Sequence, residues 1–178
     1  MHTRTNRTHR PAARGLATVV LVGAALIAPG GGTRAAAEAD QTSRKLEADF
    51  EQQPASIGAP VCSPATSCVV PFSLPGVTAG GLDGTMVQAG AASRTADGSL
   101  HANSTIVFTG TVVGCGSGKV TMRSSGLNRG GVTSGSTEII DGTGTEGLAS
   151  LTGTGTVSGQ VDPATGIGSG AIELKVKC

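Results

Sequence analysis

The sequence has neither tryptophan nor tyrosine and only three phenylalanines in 178 residues. Sugar grooves walled by tryptophan are therefore excluded, and so are the stacked aromatic platforms on which single-stranded nucleic acids lie. Charge is sparse as well, with 13 Lys+Arg and 12 Asp+Glu. Five of the basic residues, Arg4, Arg7, Arg10, Arg14 and Arg34, fall within the first 37 positions, which hold no acid. The remainder carries eight basic against twelve acidic residues, a net −4. It lacks the clustered Lys and Arg that hold phosphate backbones, so no nucleic acid is expected as a partner. Beyond position 37 the only histidine is His101.

Long apolar runs are scarce too. Leu16 to Ala28 makes thirteen residues, short of the ~20 that cross a bilayer, and Pro29 with Gly30, Gly31 and Gly32 ends it. Four arginines precede it, and Thr33-Arg34-Ala35-Ala36-Ala37 follows with the small-x-small pattern that signal peptidase accepts. The reading is an export signal over residues 1–37. No adjacent arginine pair is present, which favours the ordinary secretory route. Cleavage after Ala37 leaves 141 residues, the size of one domain. The expected location is outside the cell or in its envelope, with membrane contact only through the signal before cleavage.

Four cysteines remain after the leader: Cys62, Cys68, Cys115 and Cys178. An even number in an exported chain reads as two disulfides, and four cysteines allow three pairings. Cys62 with Cys68 and Cys115 with Cys178 is preferred. The first pair encloses only Ser-Pro-Ala-Thr-Ser, a turn-rich stretch, and the second ties the last residue to the body. A metal site is disfavoured, because Cys-x5-Cys exceeds the usual zinc-clip spacing and one histidine is too few. No metal and no cofactor are expected.

Residues 38–59 are polar, with Leu46, Phe50 and Ile57 as the only large apolar side chains. Leu46 and Phe50 stand four apart, so the segment is expected to be an N-terminal arm, either loose or forming a short helix over Ser43 to Gln52. From residue 60 onward short runs of Thr, Val, Ile and Ser are punctuated by glycine and alternate with period two, which indicates strands. Expected strands cover Cys68 to Leu74, Gly84 to Ser93, Leu100 to Val113, Lys119 to Ser125, Ser136 to Asp141, Thr152 to Val161 and Ile167 to Lys177. In the last, Ile172, Leu174 and Val176 share one face while Glu173, Lys175 and Lys177 share the other. With hairpin turns and no room for crossover helices, the fold class is all-β. The expected architecture over residues 60–178 is an antiparallel up-and-down β-barrel of about eight strands, stapled by the disulfides. Glycine, 29 residues in the whole chain, fits the bends and close strand approaches of a small, strongly coiled barrel.

The stretch Asp141-Gly142-Thr143-Gly144-Thr145-Glu146-Gly147-Leu148-Ala149-Ser150-Leu151-Thr152-Gly153-Thr154-Gly155 resembles a signature of small secreted actinobacterial barrels of unknown function related to allene oxide cyclase and dirigent proteins. Phe108 to Gly118 resembles the strand-turn-strand segment that precedes it in those proteins. The resemblance covers roughly residues 84–177. It implies an eight-stranded barrel whose interior holds an apolar small molecule, with Leu148 and Leu151 plugging one end. In such relatives the interior steers cyclisation or coupling of a reactive substrate. No family catalytic residue matches a position here, and aromatic residues to line a cavity are nearly absent.

Tests for chemistry are mostly negative. Gly142-x-Gly144-x-x-Gly147 satisfies a dinucleotide fingerprint formally, but Gly153 and Gly155 interrupt any following helix and the flanks read as hairpin strands. No Gly-x-Ser-x-Gly elbow occurs. His101 stands alone among Ser99, Asn103 and Ser104 and reads as an exposed strand residue. Glu138 and Arg123 form the one candidate pocket pair: facing inward together, they would orient a ligand, and facing outward they would be an ordinary solvated pair. The sequence names no reaction. The leading expectation is a non-enzymatic barrel that binds a small apolar molecule or a surface protein partner. A steering cyclase or isomerase is the alternative the resemblance implies, and a structural cell-envelope module is a third.

Overall fold

The chain's architecture, a computed structural model, is described for residues 42–63, 67–162 and 164–178. The leader expected over 1–37 lies outside these, as do Pro64, Ala65 and Thr66 between the first cysteine pair. Within them are β1 (Arg44–Gln52), β2 (Ser56–Ile57), β3 (Val61–Ser63), β4 (Ser67–Gly80), β5 (Leu82–Arg94), β6 (Leu100–Val112), β7 (Gly116–Arg129), β8 (Val132–Ile139), β9 (Thr152–Val161) and β10 (Gly168–Lys177).

Alternation decides which way each strand faces. In β10 Ile172, Leu174 and Val176 are buried while Glu173, Lys175 and Lys177 are exposed. β6 does the same with Ile106, Phe108 and Val112 inside, and β7 with Val120 and Met122. A sheet with one apolar face and free edges is stabilised by closing on itself. Every strand from β4 to β10 pairs antiparallel with the next in sequence, and only β8 and β9 are joined by a longer connection. β1 closes the ring by pairing β10 on one side and β4 on the other. The result is an eight-stranded closed barrel of β1 and β4 to β10. Its outer face carries the charges of β1 and β10, the reverse of a membrane-spanning barrel, whose outward positions are apolar. No helix among the described residues is long and apolar enough to cross a membrane.

The arm expected over residues 38–59 is corrected by β1. Leu46, Ala48, Phe50 and Gln52 face inward, and Lys45, Glu47, Asp49 and Glu51 face outward. Residues four apart share a face in a strand as well as in a helix, so Leu46 and Phe50 did not discriminate. Nine register pairs with β10 and five with β4 supply the partners that make the strand the stable choice. Past Gln52 the chain continues along β4 as β2 and β3, so the barrel wall begins well before residue 60.

The two ends of the barrel differ. At one end the β8–β9 connection folds across the opening, and a single 3₁₀ turn at Glu146–Leu148 buries Leu148 completely and leads to the buried Leu151. Thr143 and Thr145 hold that connection by taking the place of a missing strand. Their Oγ1 atoms accept the backbone N–H groups of Thr121 and Lys119 at 3.1 and 3.0 Å, and the backbone N–H of Thr145 donates to the Lys119 carbonyl at 2.9 Å. The glycine fingerprint at 142–147 is thus a turn between antiparallel strands, without the parallel unit and long helix a dinucleotide needs.

The cysteines pair as Cys62–Cys68 and Cys115–Cys178, with Cα atoms 4.1 and 5.5 Å apart. Cys115–Cys178 ties the end of β10 to the β6–β7 turn at the plugged end. Cys62–Cys68 joins β3 directly across to β4.

Candidate functional site

The inward positions near the other end are small. Ala92, Ala102, Gly126 and Gly135 are register neighbours across β5, β6, β7 and β8. Across the lumen Gly159 and Gly170 pair on β9 and β10. These glycines are set by close approach: a Cβ on Gly170 would lie 2.1 Å from the Ser158 carbonyl oxygen and 2.9 Å from Cζ of Phe50. The missing side-chain volume leaves a cavity of about 520 Å³, a size that holds a drug-sized molecule. Below it Met86, Ile106 and Ile172 form the floor, continuous with the packed core.

Two of the three phenylalanines, Phe50 and Phe72, line this space. The scarcity of aromatics in the sequence therefore misleads, because those present are placed inside: the third, Phe108, is fully buried in the core. Val70, Leu74, Leu100, Val157 and Val161 complete the apolar wall. The mouth is apolar on the sides formed by β2, β6 and β9. Ile57 is 68% exposed, and Leu100 and Val161 are each 39% exposed while also lining the cavity. Open apolar side chains around a cavity mouth are what an apolar molecule meets on its way in.

One polar belt crosses the lumen just above the floor. Gln52 Nε2 donates to Gln88 Oε1 at 2.7 Å, and Gln88 Nε2 donates to Ser104 Oγ at 2.8 Å. Ser124, the register neighbour of Ser104, donates to the Ser136 carbonyl at 3.2 Å. Nearer the mouth, Asn128 Nδ2 donates to Thr133 Oγ1 at 2.8 Å. None of the described residues lining the cavity is Asp, Glu, His, Lys, Arg or Cys. The lining therefore offers neutral hydrogen-bonding groups and apolar surface, and no titratable group for proton transfer.

Glu138 and Arg123 are brought together, but outside. They are register partners on β7 and β8, with Arg123 Nη2 3.6 Å from Glu138 Oε2 and side chains 67% and 56% exposed. The pocket-facing arrangement is thereby corrected: Met122 faces in, so its neighbour Arg123 faces out. His101 is exposed on the outer face of β6.

A charged cluster instead braces the rim. Asp97 in the β5–β6 turn accepts hydrogen bonds from Thr95 Oγ1, from the Ser99 backbone N–H at 3.1 Å and from Ser99 Oγ at 3.0 Å. Arg129 at the end of β7 reaches Asp97 at 2.8 Å and Ser99 Oγ at 3.1 Å. The Thr95 hydroxyl first, then the Ser99 donors, with Arg129 adding attraction, hold the Asp97 carboxyl well below its ordinary range. The cluster is a brace for the turn; its polar atoms satisfy one another.

Fold and cavity together define a class: a small disulfide-stapled antiparallel barrel, solid at one end and hollow at the other. The chain is similar in fold to a protein with unknown function from the DUF3224 family of Shewanella oneidensis MR-1. The two share 18% identity with a TM-score of 0.54, over 76% of this chain and 96% of that one. No protein-family model and no curated protein matches the chain. At this identity the likeness is one of fold. A link to allene oxide cyclase or dirigent proteins is carried by the local sequence resemblance alone.

Proposed function

We propose that the protein is an exported binding barrel that holds one mostly apolar small molecule in the hollow end of its lumen. The observation that carries this reading is the cavity itself: about 520 Å³, bounded by Phe50, Phe72, Met86 and Ile106, and open through a mouth that is apolar on its β2, β6 and β9 sides. Natural cores fill their interiors with side chains, because each void forfeits dispersion contacts and costs stability. Gly135 is fixed by strand approach, since a Cβ there would lie 2.4 Å from the Ser125 carbonyl oxygen, but the small Ala92 and Ala102 at inward positions beside the cavity are a departure that a ligand explains. A lining with no titratable side chain among its described residues supports binding over acid–base chemistry. Export is supported by the two disulfides, which persist in oxidising compartments, and by the leader-like residues 1–37.

The absence of tryptophan and tyrosine makes the test simple, since the protein contributes almost no fluorescence of its own. N-phenyl-1-naphthylamine, which brightens in apolar surroundings, is titrated into the full chain with both disulfides formed. Saturable enhancement at one dye per chain is expected. No enhancement at dye concentrations up to its solubility limit removes the proposal.

A further inference from the structure

The cavity's layers are ordered in a way that names the chemistry of its occupant. Along β6 the inward side chains run from the mouth as Leu100, Ala102, Ser104 and Ile106, and along β5 as Ala92, Gly90, Gln88 and Met86. A polar layer thus lies deep, above an apolar floor and below a collar that is apolar on β4, β6 and β9 and carries on β7 and β8 only Asn128 and Thr133, which bond each other. A simple hydrocarbon site has no use for such a belt, since burying amides and hydroxyls with unmet bonding capacity is unfavourable. The belt is internally connected but not saturated. Ser104 Oγ accepts from Gln88 and has its own proton to give, and the Oε1 of Gln52 accepts no hydrogen bond from the described residues. No charged side chain among the described residues lines the space to balance an ion.

Resting on the binding reading above, we infer that the occupant is a neutral amphiphile with a hydroxyl or carboxamide head. The head enters first and lies against Gln52, Gln88 and Ser104, and the hydrocarbon part extends back through the collar of Leu100, Phe72 and Val161. A hydroxyl suits both open valences, accepting from Ser104 and donating to the Gln52 carbonyl oxygen. A carboxamide does the same with its C=O and N–H. A carboxylate or ammonium head is excluded from this position, because it would be desolvated without a counter-charge.

The test displaces N-phenyl-1-naphthylamine from the full chain at pH 8 with a series of one chain length: 1-octanol, octanamide, octanoate, octylammonium and 1-chlorooctane. The chloride matches the alcohol's shape without its hydrogen bonding. The alcohol and the amide are expected to displace the dye at about tenfold lower concentration than the chloride, the value of one net hydrogen bond. Octanoate and octylammonium are expected to be about 100-fold weaker than the alcohol, as desolvated ions. Gln88→Leu and Ser104→Ala should each erase the alcohol's advantage over the chloride, both ligands being compared within the same variant, with the urea-denaturation midpoint showing that each variant is folded. Equal displacement by alcohol and chloride, or octanoate matching the alcohol, overturns the neutral-head inference and leaves the binding reading standing. Failure of the dye to bind the wild-type chain overturns both.

Discussion

Gln52 on β1 and Gln88 on β5 are hydrogen-bonded at 2.7 Å although β4 runs between their strands. They meet over Gly76, the β4 residue in register with Gln52 on one side and Met86 on the other. A Cβ there would stand 2.6 Å from the Glu51 carbonyl oxygen and 3.2 Å from both Cα and Cγ of Gln52. Gly76→Ala is therefore expected to push Gln52 off Gln88 and to destabilise the barrel by about 1–3 kcal/mol, the usual cost of overpacking. Urea denaturation of the variant against wild type measures it. An unchanged midpoint would mean that the strand yields freely at this position.

The disulfides act on different parts of the fold. Cys115–Cys178 closes a sequence separation of 63, against 6 for Cys62–Cys68. By the chain-entropy argument the long loop contributes about 4 kcal/mol and the short one about 2 kcal/mol. The long bridge also ties the C-terminus to the packed end. The Cys115→Ser/Cys178→Ser variant should lose far more in unfolding midpoint than Cys62→Ser/Cys68→Ser. A larger loss from the short bridge would show that the β3–β4 ribbon governs global stability.

Acid should loosen the open end first. Hydrogen bonds from Thr95 and Ser99 hold Asp97 well below its ordinary value of 3.8, and those from Ala164 and Thr165 lower Asp162 in the β9–β10 turn. A carboxyl whose folded pKa is depressed contributes stability that is complete above its unfolded value. The contribution is lost as pH falls through the folded value. The wild type is therefore expected to lose stability progressively below pH 3.8. Asp97→Asn, compared at pH 7 and pH 3, should lose less between those conditions than the wild type does. Equal losses would show that the rim brace does not contribute to acid sensitivity.

Arg123 and Glu138 should matter little. Exposed cross-strand ion pairs are worth roughly 0.2–1 kcal/mol, and this one is solvent-exposed on the outer wall. A double-mutant cycle to alanine is expected to give a coupling below about 1 kcal/mol, with dye binding unchanged. Loss of binding in either single variant would return the pair to the site.

What could be read in advance follows from what carries a local signal. The alternation of Ile172, Leu174 and Val176 with Glu173, Lys175 and Lys177 marks β10 by period alone, and the buried Leu148 and Leu151 sit where the glycine-threonine signature implies a plug. β1 was obscured because Leu46 and Phe50 are compatible with two periods, although the charges at Lys45, Glu47, Asp49 and Glu51 already alternate with period two. A hollow interior is implied by the family resemblance alone, and the residues that line it carry no local signal, for another reason. Ala92, Ala102, Gly126 and Gly135 carry little hydropathy, so a search for large apolar residues passes over them. The inward parity of Ile106, extended back through Ser104 to Ala102, marks a lumen that widens as its side chains become small. The Gln52–Gln88 contact had no such signal, since it depends on closure of the ring through β4.

The difference between the ends of the barrel gives a paired prediction. Leu148 is fully buried in the plug, so Leu148→Ala removes packed methyl groups where the neighbours cannot collapse, at a cost of about 2–5 kcal/mol. Ala102 borders empty space between Ala92 and Gly126. Ala102→Leu adds apolar volume into that void, and filling a cavity is expected to leave stability unchanged or raise it by about 0.5–2 kcal/mol. The same substitution occupies the lumen above Ser104 and should abolish dye binding. A protein that keeps a void where a leucine would fit, and loses its ligand when the leucine is supplied, would be holding that space open for binding. If Ala102→Leu binds dye as well as wild type, the dye sits elsewhere and the lumen is not the site.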